Sequence, residues 1–277
     1  MKLFISDLDG TLLNSSGELS NYTVKTINKL IDQGIHFTIA TGRSFETSQH
    51  ILRKLNLKYP VVLFDGAVIY DLKSGEKLRT IFLSVDSAKK TLKKYDEFGV
   101  SPLVYTYNEK SENKIYYKNI DNKAIETYIN LFVSKGDKRF AKVSNYEEVL
   151  KENIVTINMI EKPKILEPIA ENMRKNATTE KVFYVDSIDD SSYKFLMIMN
   201  KNAEKGKGVE FLKKYVGATH LTSFGDQLND LSMFEVSDES YATENADEVI
   251  KENATAVLES NDEDAVARFL EKERKND

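Results

Sequence analysis

The chain has 277 residues, 44 acidic and 39 basic, for a formal charge of −5, and 41% of it is apolar against 30% charged; that describes a folded protein of about two domains rather than a disordered one. With no cysteine there is no disulfide, thiolate nucleophile, iron–sulfur cluster or cysteine zinc site, which fits a cytoplasmic setting, and His36, His50 and His220 stand singly, as structural residues do. No apolar run approaches the ~20 residues of a membrane span, Lys2–Ser6 is too short for a signal segment, and net acidity argues against a nucleic-acid partner.

Lys2 to Ser6 is a short apolar strand. Ser20 caps a helix with apolar positions at Val24, Ile27, Leu30 and Ile31, closed by Gly34. Ile35 to Ala40 is a second strand, so the unit predicts a right-handed crossover in a parallel sheet. A helix over Ser44 to Lys54 and strands at Val61 to Phe64 and Ala67 to Tyr70 follow. From about residue 83 the texture changes to a helix over Val85 to Phe98, tyrosine-rich strands at Leu103 to Tyr107 and Lys114 to Tyr117, and a helix at Lys123 to Val133. Then come a strand at Val155 to Ile160, a helix after Pro163, and strands at Lys181 to Ser187 and Tyr193 to Met199. After Lys205-Gly206 the earlier rhythm resumes, with a helix at Val209 to Tyr215, a strand at Thr219 to Phe224, a helix at Asp230 to Glu235 and a closing helix from Asp262. The predicted fold is α/β, a Rossmann-like, doubly wound, mostly parallel sheet formed by 1–82 and 192–277. An α+β cap domain is inserted at 83–191 and is expected to control substrate access.

Ligands of such sheets bind at the carboxyl ends of the strands. Four of those ends are polar: Asp7-Leu8-Asp9-Gly10-Thr11, Thr41-Gly42-Arg43, Lys205, and Gly225-Asp226-Gln227-Leu228-Asn229-Asp230. Residues two apart on an extended segment face the same way, so Asp7 and Asp9 are expected to converge while Leu8 enters the core. If the ends meet, Asp7, Asp9, Asp226 and Asp230 face one cation, Lys205. That asks for a metal, and an all-oxygen set with room for water and phosphate suits Mg²⁺. The Thr41 hydroxyl, the Gly42 amide and Lys205 are contacts of the kind phosphate takes.

In this order and spacing the motifs resemble the haloacid dehalogenase superfamily of phosphohydrolases, in its Cof-type branch, where the cap is inserted between the second and third motifs. The likeness also takes in Asp65-Gly66-Ala67 and the tail Ser260-Asn261-Asp262-Glu263-Asp264. The resemblance implies Asp7 as nucleophile and Asp9 as general acid and base. It implies Mg²⁺ held by Asp7, the Asp9 carbonyl and Asp226, with Asp230 and Thr11 supporting those ligands from behind. Thr41, Gly42, Lys205 and Asn229 resemble the phosphate contacts, and Asp65, Gly66 and Arg43 are candidate substrate contacts. The chain departs from the family pattern at Asp65, where asparagine is common, at Gln227, and in the polar run Tyr241 to Asn245.

The activity so implied is Mg²⁺-dependent hydrolysis of a small phosphorylated metabolite, a sugar phosphate foremost, through an aspartyl-phosphate. Crowding by Asp7 and a substrate dianion is expected to keep Asp9 protonated for the first step. A non-catalytic, phosphate-responsive signalling protein is the alternative from another class, but it has no use for an acid at position 9 or for so long an insertion. A phosphomutase would keep both aspartates and would depend on a bisphosphate.

Overall fold

A computed structural model describes residues 1–186 and 192–276. In chain order the first segment holds β1 (Lys2–Ser6), α1 (Asn21–Asp32), β2 (His36–Ile39), α2 (Phe45–Leu52), β3 (Val61–Leu63), β4 (Val68–Tyr70) and β5 (Lys77–Thr80). The middle holds α3 (Val85–Glu97), β6 (Leu103–Tyr107), β7 (Asn113–Tyr117), α4 (Lys123–Val133), β8 (Phe140–Lys142), β9 (Asn153–Glu161), α5 (Pro163–Asn176), β10 (Glu180–Asp186) and β11 (Lys194–Asn200). The last holds α6 (Lys205–Val216), β12 (His220–Gly225), α7 (Leu231–Glu235), β13 (Glu239–Ala242), α8 (Glu248–Glu252), β14 (Ala256–Val257) and α9 (Ala265–Asn276). Two compact units result, one from Met1–Thr80 with the chain from Asn202 onward, the other Ile81–Lys201.

The first unit is built on a parallel sheet in the order β14-β13-β12-β1-β2. A parallel bridge from Ala40 to Val62 extends it to β3, which turns back into the antiparallel β3-β4-β5 sheet. Strands buried on both faces read as continuous apolar runs, and both faces here are covered. Leu3, Ile5 and Leu221 pack with Val209, Leu212, Met233 and Ile250 from α6, α7 and α8. On the other side Phe269 of α9 lies edge-on to Phe224 at 5.3 Å and against Tyr241 at 4.3 Å. Ser20 caps α1 by accepting the Thr23 N–H, as its position predicts.

The second unit is a six-stranded sheet, β10-β11-β9-β6-β7-β8, antiparallel except where β8 joins β7 in parallel. Its tyrosines mostly pack. The Tyr105 hydroxyl pairs with that of Tyr128 at 2.7 Å, Tyr116 donates to Glu152 at 2.8 Å, and Tyr107 lies beside Phe82.

The architecture is therefore α/β with a parallel core and an inserted α+β unit. The insertion ends later than the 191 expected from sequence, because β11 pairs along its length with β9 and β10 and stays with them until Lys201. Ser187, the expected end of the strand before it, and the expected boundary at 191 lie outside the described residues. The helix expected to begin at Val209 begins at Lys205, so the lysine belongs to a helical turn. No described helix is long and apolar enough to cross a membrane.

Candidate active site

The site grows from the carboxyl end of β1. Asp7 N–H donates to the Phe224 carbonyl at 3.0 Å, the last sheet bond before the chain leaves β1. Leu8 turns into the core with no exposed surface, as alternation predicts. The next residues form a wide turn over Leu8–Leu12, with Asp9 extended and Gly10 at φ +72°. A Cβ on Gly10 would stand 2.2 Å from Asp226 Oδ2, so that carboxylate can approach only because position 10 has no side chain.

Three aspartates meet. Asp7, Asp226 and Asp230 each offer a carboxylate oxygen, all within 4.8 Å of one another, and their residues are 5%, 5% and 0% exposed. Lys205, 1% exposed, stands between two of them, donating to Asp7 Oδ1 and Asp230 Oδ1 at 2.8 Å each. Asp230 is used up by this work, since its Oδ2 accepts the amides of Asp226 and Gln227 at 3.0 and 3.1 Å. Gln227 completes a capping box with Asp230, which accounts for its polar character. The Thr11 hydroxyl donates to Asp226 Oδ1 at 2.7 Å.

Burial pushes the Asp7 carboxyl well up from its ordinary range against the pull of Lys205, with Asp230 and Asp226 adding to the rise. Burial also raises Asp226, to about 7, over the opposing Thr11 bond, helped by Asp230 and Asp9. At Lys205 burial works against the charge, but Asp230, Asp7 and Asp65 outweigh it and hold the ammonium protonated. Buried like charges of this kind call for a cation or a proton. The donor set fits a hard divalent ion: the donors are oxygens, Asp7 and Asp226 keep open lone pairs beside their bonds to Lys205 and Thr11, and Gly10 leaves room beside Asp226.

Asp9 does not join this cluster. Its side chain is 47% exposed, and Arg43 grips both oxygens, Nε to Oδ2 at 2.8 Å and Nη2 to Oδ1. The wide turn that begins at Leu8 takes the chain out of strand geometry, so the two carboxylates do not converge. Asp65 is a further buried aspartate, 5% exposed, whose charge acts on Lys205 although it is not one of the three that converge. One lysine thus faces four buried aspartates, but not the four expected.

Thr41 and Gly42 follow β2. The Thr41 hydroxyl accepts the Arg43 N–H at 3.1 Å, and its carbonyl accepts the Asp65 N–H, also at 3.1 Å. Gly42 lies against Asp65, whose Oδ2 would be 3.1 Å from a Cβ there. Asn229 donates through Nδ2 to Asp65 Oδ1 at 2.9 Å. Gly66, at φ +91°, meets the Glu204 carbonyl and shapes the approach to α6. The expected residues therefore gather at one end of the sheet, Asp9 with Arg43 at its exposed rim.

Sequence reasoning missed three supporting residues. Thr243 Oγ1 and Asn245 Nδ2 both donate to the Gly10 carbonyl, at 3.2 and 2.8 Å, which explains the polar run at Tyr241 to Asn245. Ser232 Oγ accepts the Gly206 N–H at 3.1 Å. The tail motif likewise ties down the chain that follows Gly10, since Asn261 donates to the Leu13 carbonyl, Asp262 accepts from Ser15, and Asp264 accepts from Ser20 and Thr23.

Buried carboxylates and a buried lysine gathered at the carboxyl ends of a parallel sheet are a site of the kind that handles phosphoryl groups. The profile of the haloacid dehalogenase-like hydrolases matches residues 4–270. A provisionally named phosphatase of Haemophilus influenzae is 30% identical, covering 98% of this chain and 97% of its own. The 5-amino-6-(5-phospho-D-ribitylamino)uracil phosphatase YwtE of Bacillus subtilis is 27% identical over 98% and 97%. A crystal structure from Thermotoga maritima superposes with a TM-score of 0.81 at 26% identity, over 98% of this chain and 96% of that one. The chain belongs to the haloacid dehalogenase-like hydrolases, as a phosphatase of the Cof-type branch.

Proposed function

We propose that this phosphatase is Mg²⁺-dependent, works in the cytoplasm, and hydrolyses a small phosphorylated metabolite, a sugar or sugar-alcohol phosphate, through an aspartyl-phosphate on Asp7. The observation that carries the reading is the clamp on Asp7. Lys205 holds Oδ1, which leaves Oδ2 as the nucleophile and fixes its direction. The named substrate of the Bacillus subtilis relative, a phosphorylated ribityl chain, supports the substrate class.

Asp7, the Asp9 carbonyl and Asp226 would hold Mg²⁺, which neutralises charge on the transferring phosphoryl group when bound. Asp7 Oδ2 attacks phosphorus in line, the phosphorus–oxygen bond to the leaving group breaks, and Asp9 delivers a proton to the departing alkoxide. Arg43 grips both Asp9 oxygens, so the guanidinium must leave one of them, and that oxygen must take up a proton from solvent as the substrate enters, before Asp9 can serve as the acid. Lys205, the Thr41 hydroxyl, the Gly42 amide and Asn229 take the phosphoryl oxygens. In the second half Asp9 removes a proton from water as that water attacks phosphorus, phosphate leaves and the Asp7 carboxylate is restored. The inserted unit is assigned control of substrate access, and Asp65, Gly66 and Arg43 are the candidate substrate contacts within the first unit.

The test is phosphate release from a panel of sugar, sugar-alcohol and nucleoside phosphates, with Mg²⁺ and with EDTA. Turnover that EDTA abolishes and Asp7→Asn removes is the expected result. Undiminished turnover by Asp7→Asn would assign the nucleophile elsewhere.

A further inference from the structure

We propose that Asp65 is a positioning residue: it fixes the side-chain amide of Asn229 with its NH₂ group turned into the phosphoryl site. This rests on the phosphatase reading above and deepens it at one of the positions where the sequence departs from the family pattern.

Asp65 is 5% exposed, in a left-handed conformation at φ 49°, ψ 39°. Its backbone is tied to the phosphate turn, since its N–H donates to Thr41 O, and its carboxylate lies against Gly42. An amide side chain can turn either way round, and its neighbours decide which end faces where. A carboxylate only accepts, so Asp65 admits one orientation, with Asn229 Nδ2 on Asp65 Oδ1 at 2.9 Å. That nitrogen keeps a second N–H for a phosphoryl oxygen, and the carboxylate that holds it is the one lying against Gly42. The cost is visible at the other end. Asn229 Oδ1 is buried and makes no hydrogen bond among the described residues, an arrangement that persists only if the Asp65 bond outweighs it. An asparagine at position 65 would offer both a donor and an acceptor and would leave Asn229 free to reverse.

Asp65 has a second, opposed effect. Its charge lies near the group it helps to bind and repels an anion. The two effects separate in a double-mutant cycle. In the full-length chain with Mg²⁺, the dissociation constant of inorganic phosphate is measured by calorimetry, and KM for p-nitrophenyl phosphate serves as the second readout. Glycine is unstrained at φ 49°, so Asp65→Gly removes the side chain without forcing the backbone. It is expected to weaken phosphate binding roughly fivefold, the worth of one oriented hydrogen bond less the relief of repulsion. In the Asn229→Ala background the same substitution is expected to strengthen binding, because only the repulsion is left to remove. Asp65→Asn, which keeps the shape and tolerates the left-handed backbone, is expected to couple to Asn229 with the same sign.

A purely structural Asp65 would weaken binding in both backgrounds, and a purely electrostatic one would strengthen it in both; either result overturns the proposal. A chain that neither binds phosphate nor cleaves an ester overturns the phosphatase reading and this inference together. A chain that cleaves esters but shows no reversal of sign overturns the role of Asp65 alone.

Discussion

At the scale of single residues, the site concentrates cost in carboxylates that water would otherwise solvate. Asp226 is the clearest case, its carboxyl raised by burial to about 7. A raised carboxyl favours the folded state while it is protonated, and that benefit is lost as pH climbs from the ordinary aspartate range through about 7. Asp226→Asn keeps an acceptor for the Thr11 hydroxyl and carries no charge. In EDTA it is predicted to be more stable than the parent at pH 8, by on the order of 2–4 kcal/mol, and nearly equal to it at pH 4. Urea unfolding at the two pH values reads the difference directly, and equal stability at pH 8 would show that the charge of Asp226 is already compensated. Asp9 supports a different prediction. A nitrophenolate leaves without a proton, whereas a sugar alkoxide needs one. Asp9→Asn is therefore expected to lower the single-turnover rate of leaving-group release from a sugar phosphate by about 10²–10⁴-fold, with a much smaller loss in the same step for p-nitrophenyl phosphate. Arg43→Ala is expected to move the same ratio of single-turnover release rates in the same direction, by about tenfold, through the looser hold on Asp9; an unchanged ratio in both variants would remove Asp9 from protonation of the leaving group. The residue types of this site are legible in the sequence because a run of carboxylates beside glycine and threonine has few structural uses at a strand end. The pairing of Asp9 with Arg43, and the burial of Asp65 where its charge acts on Lys205, are not legible. They depend on a turn at Gly10 and on left-handed backbone at Phe64 and Asp65, neither of which has a period that sequence can display.

At the scale of elements, the informative miss is the start of α6. Glycines at 206 and 208 lower helix propensity, and Glu204 provides no side-chain cap, so local signals place the helix later. Tertiary contact decides instead. A Cβ at Gly206 would come within 1.9 Å of the Ser232 carbonyl oxygen, so the first turn of α6 lies on the backbone of α7 and only glycine admits that approach. This contact carries Lys205 to the point between Asp7 and Asp230. Gly206→Ala gains helix propensity and yet is predicted to destabilise, by about 1–3 kcal/mol, because overpacking against backbone has no soft route of relief. Activity is expected to fall further than the folded fraction does, since the displaced element bears the lysine. Denaturant unfolding together with kcat of the folded variant checks both parts, and a stabilised, fully active variant would mean that α6 and α7 separate at little cost.

At the scale of the whole molecule, the chain leaves its core after β5 and returns at Asn202, just ahead of Lys205. The parallel core is readable because its strands and helices alternate at regular spacing with capped ends. The insertion's limit is harder to read, since β11 is as apolar as a core strand and only its antiparallel partners β9 and β10 assign it to the second sheet. The carboxylates that would hold a metal, Asp7 and Asp226 with Asp230 behind them, all belong to the first unit. A ligand that binds only the folded form stabilises what must be folded to bind it, and opening need not be uniform across a chain with two cores. Saturating Mg²⁺ is therefore predicted to slow amide hydrogen exchange in β1, β12 and the turn after Asp226, while β6, β9 and β11 exchange at unchanged rates. Peptide-resolved exchange with Mg²⁺ and with EDTA tests this. Equal protection of both sheets would mean that the two units open as one, so that metal binding at the core is felt energetically throughout the insertion and substrate selection cannot be assigned to an independently stable part.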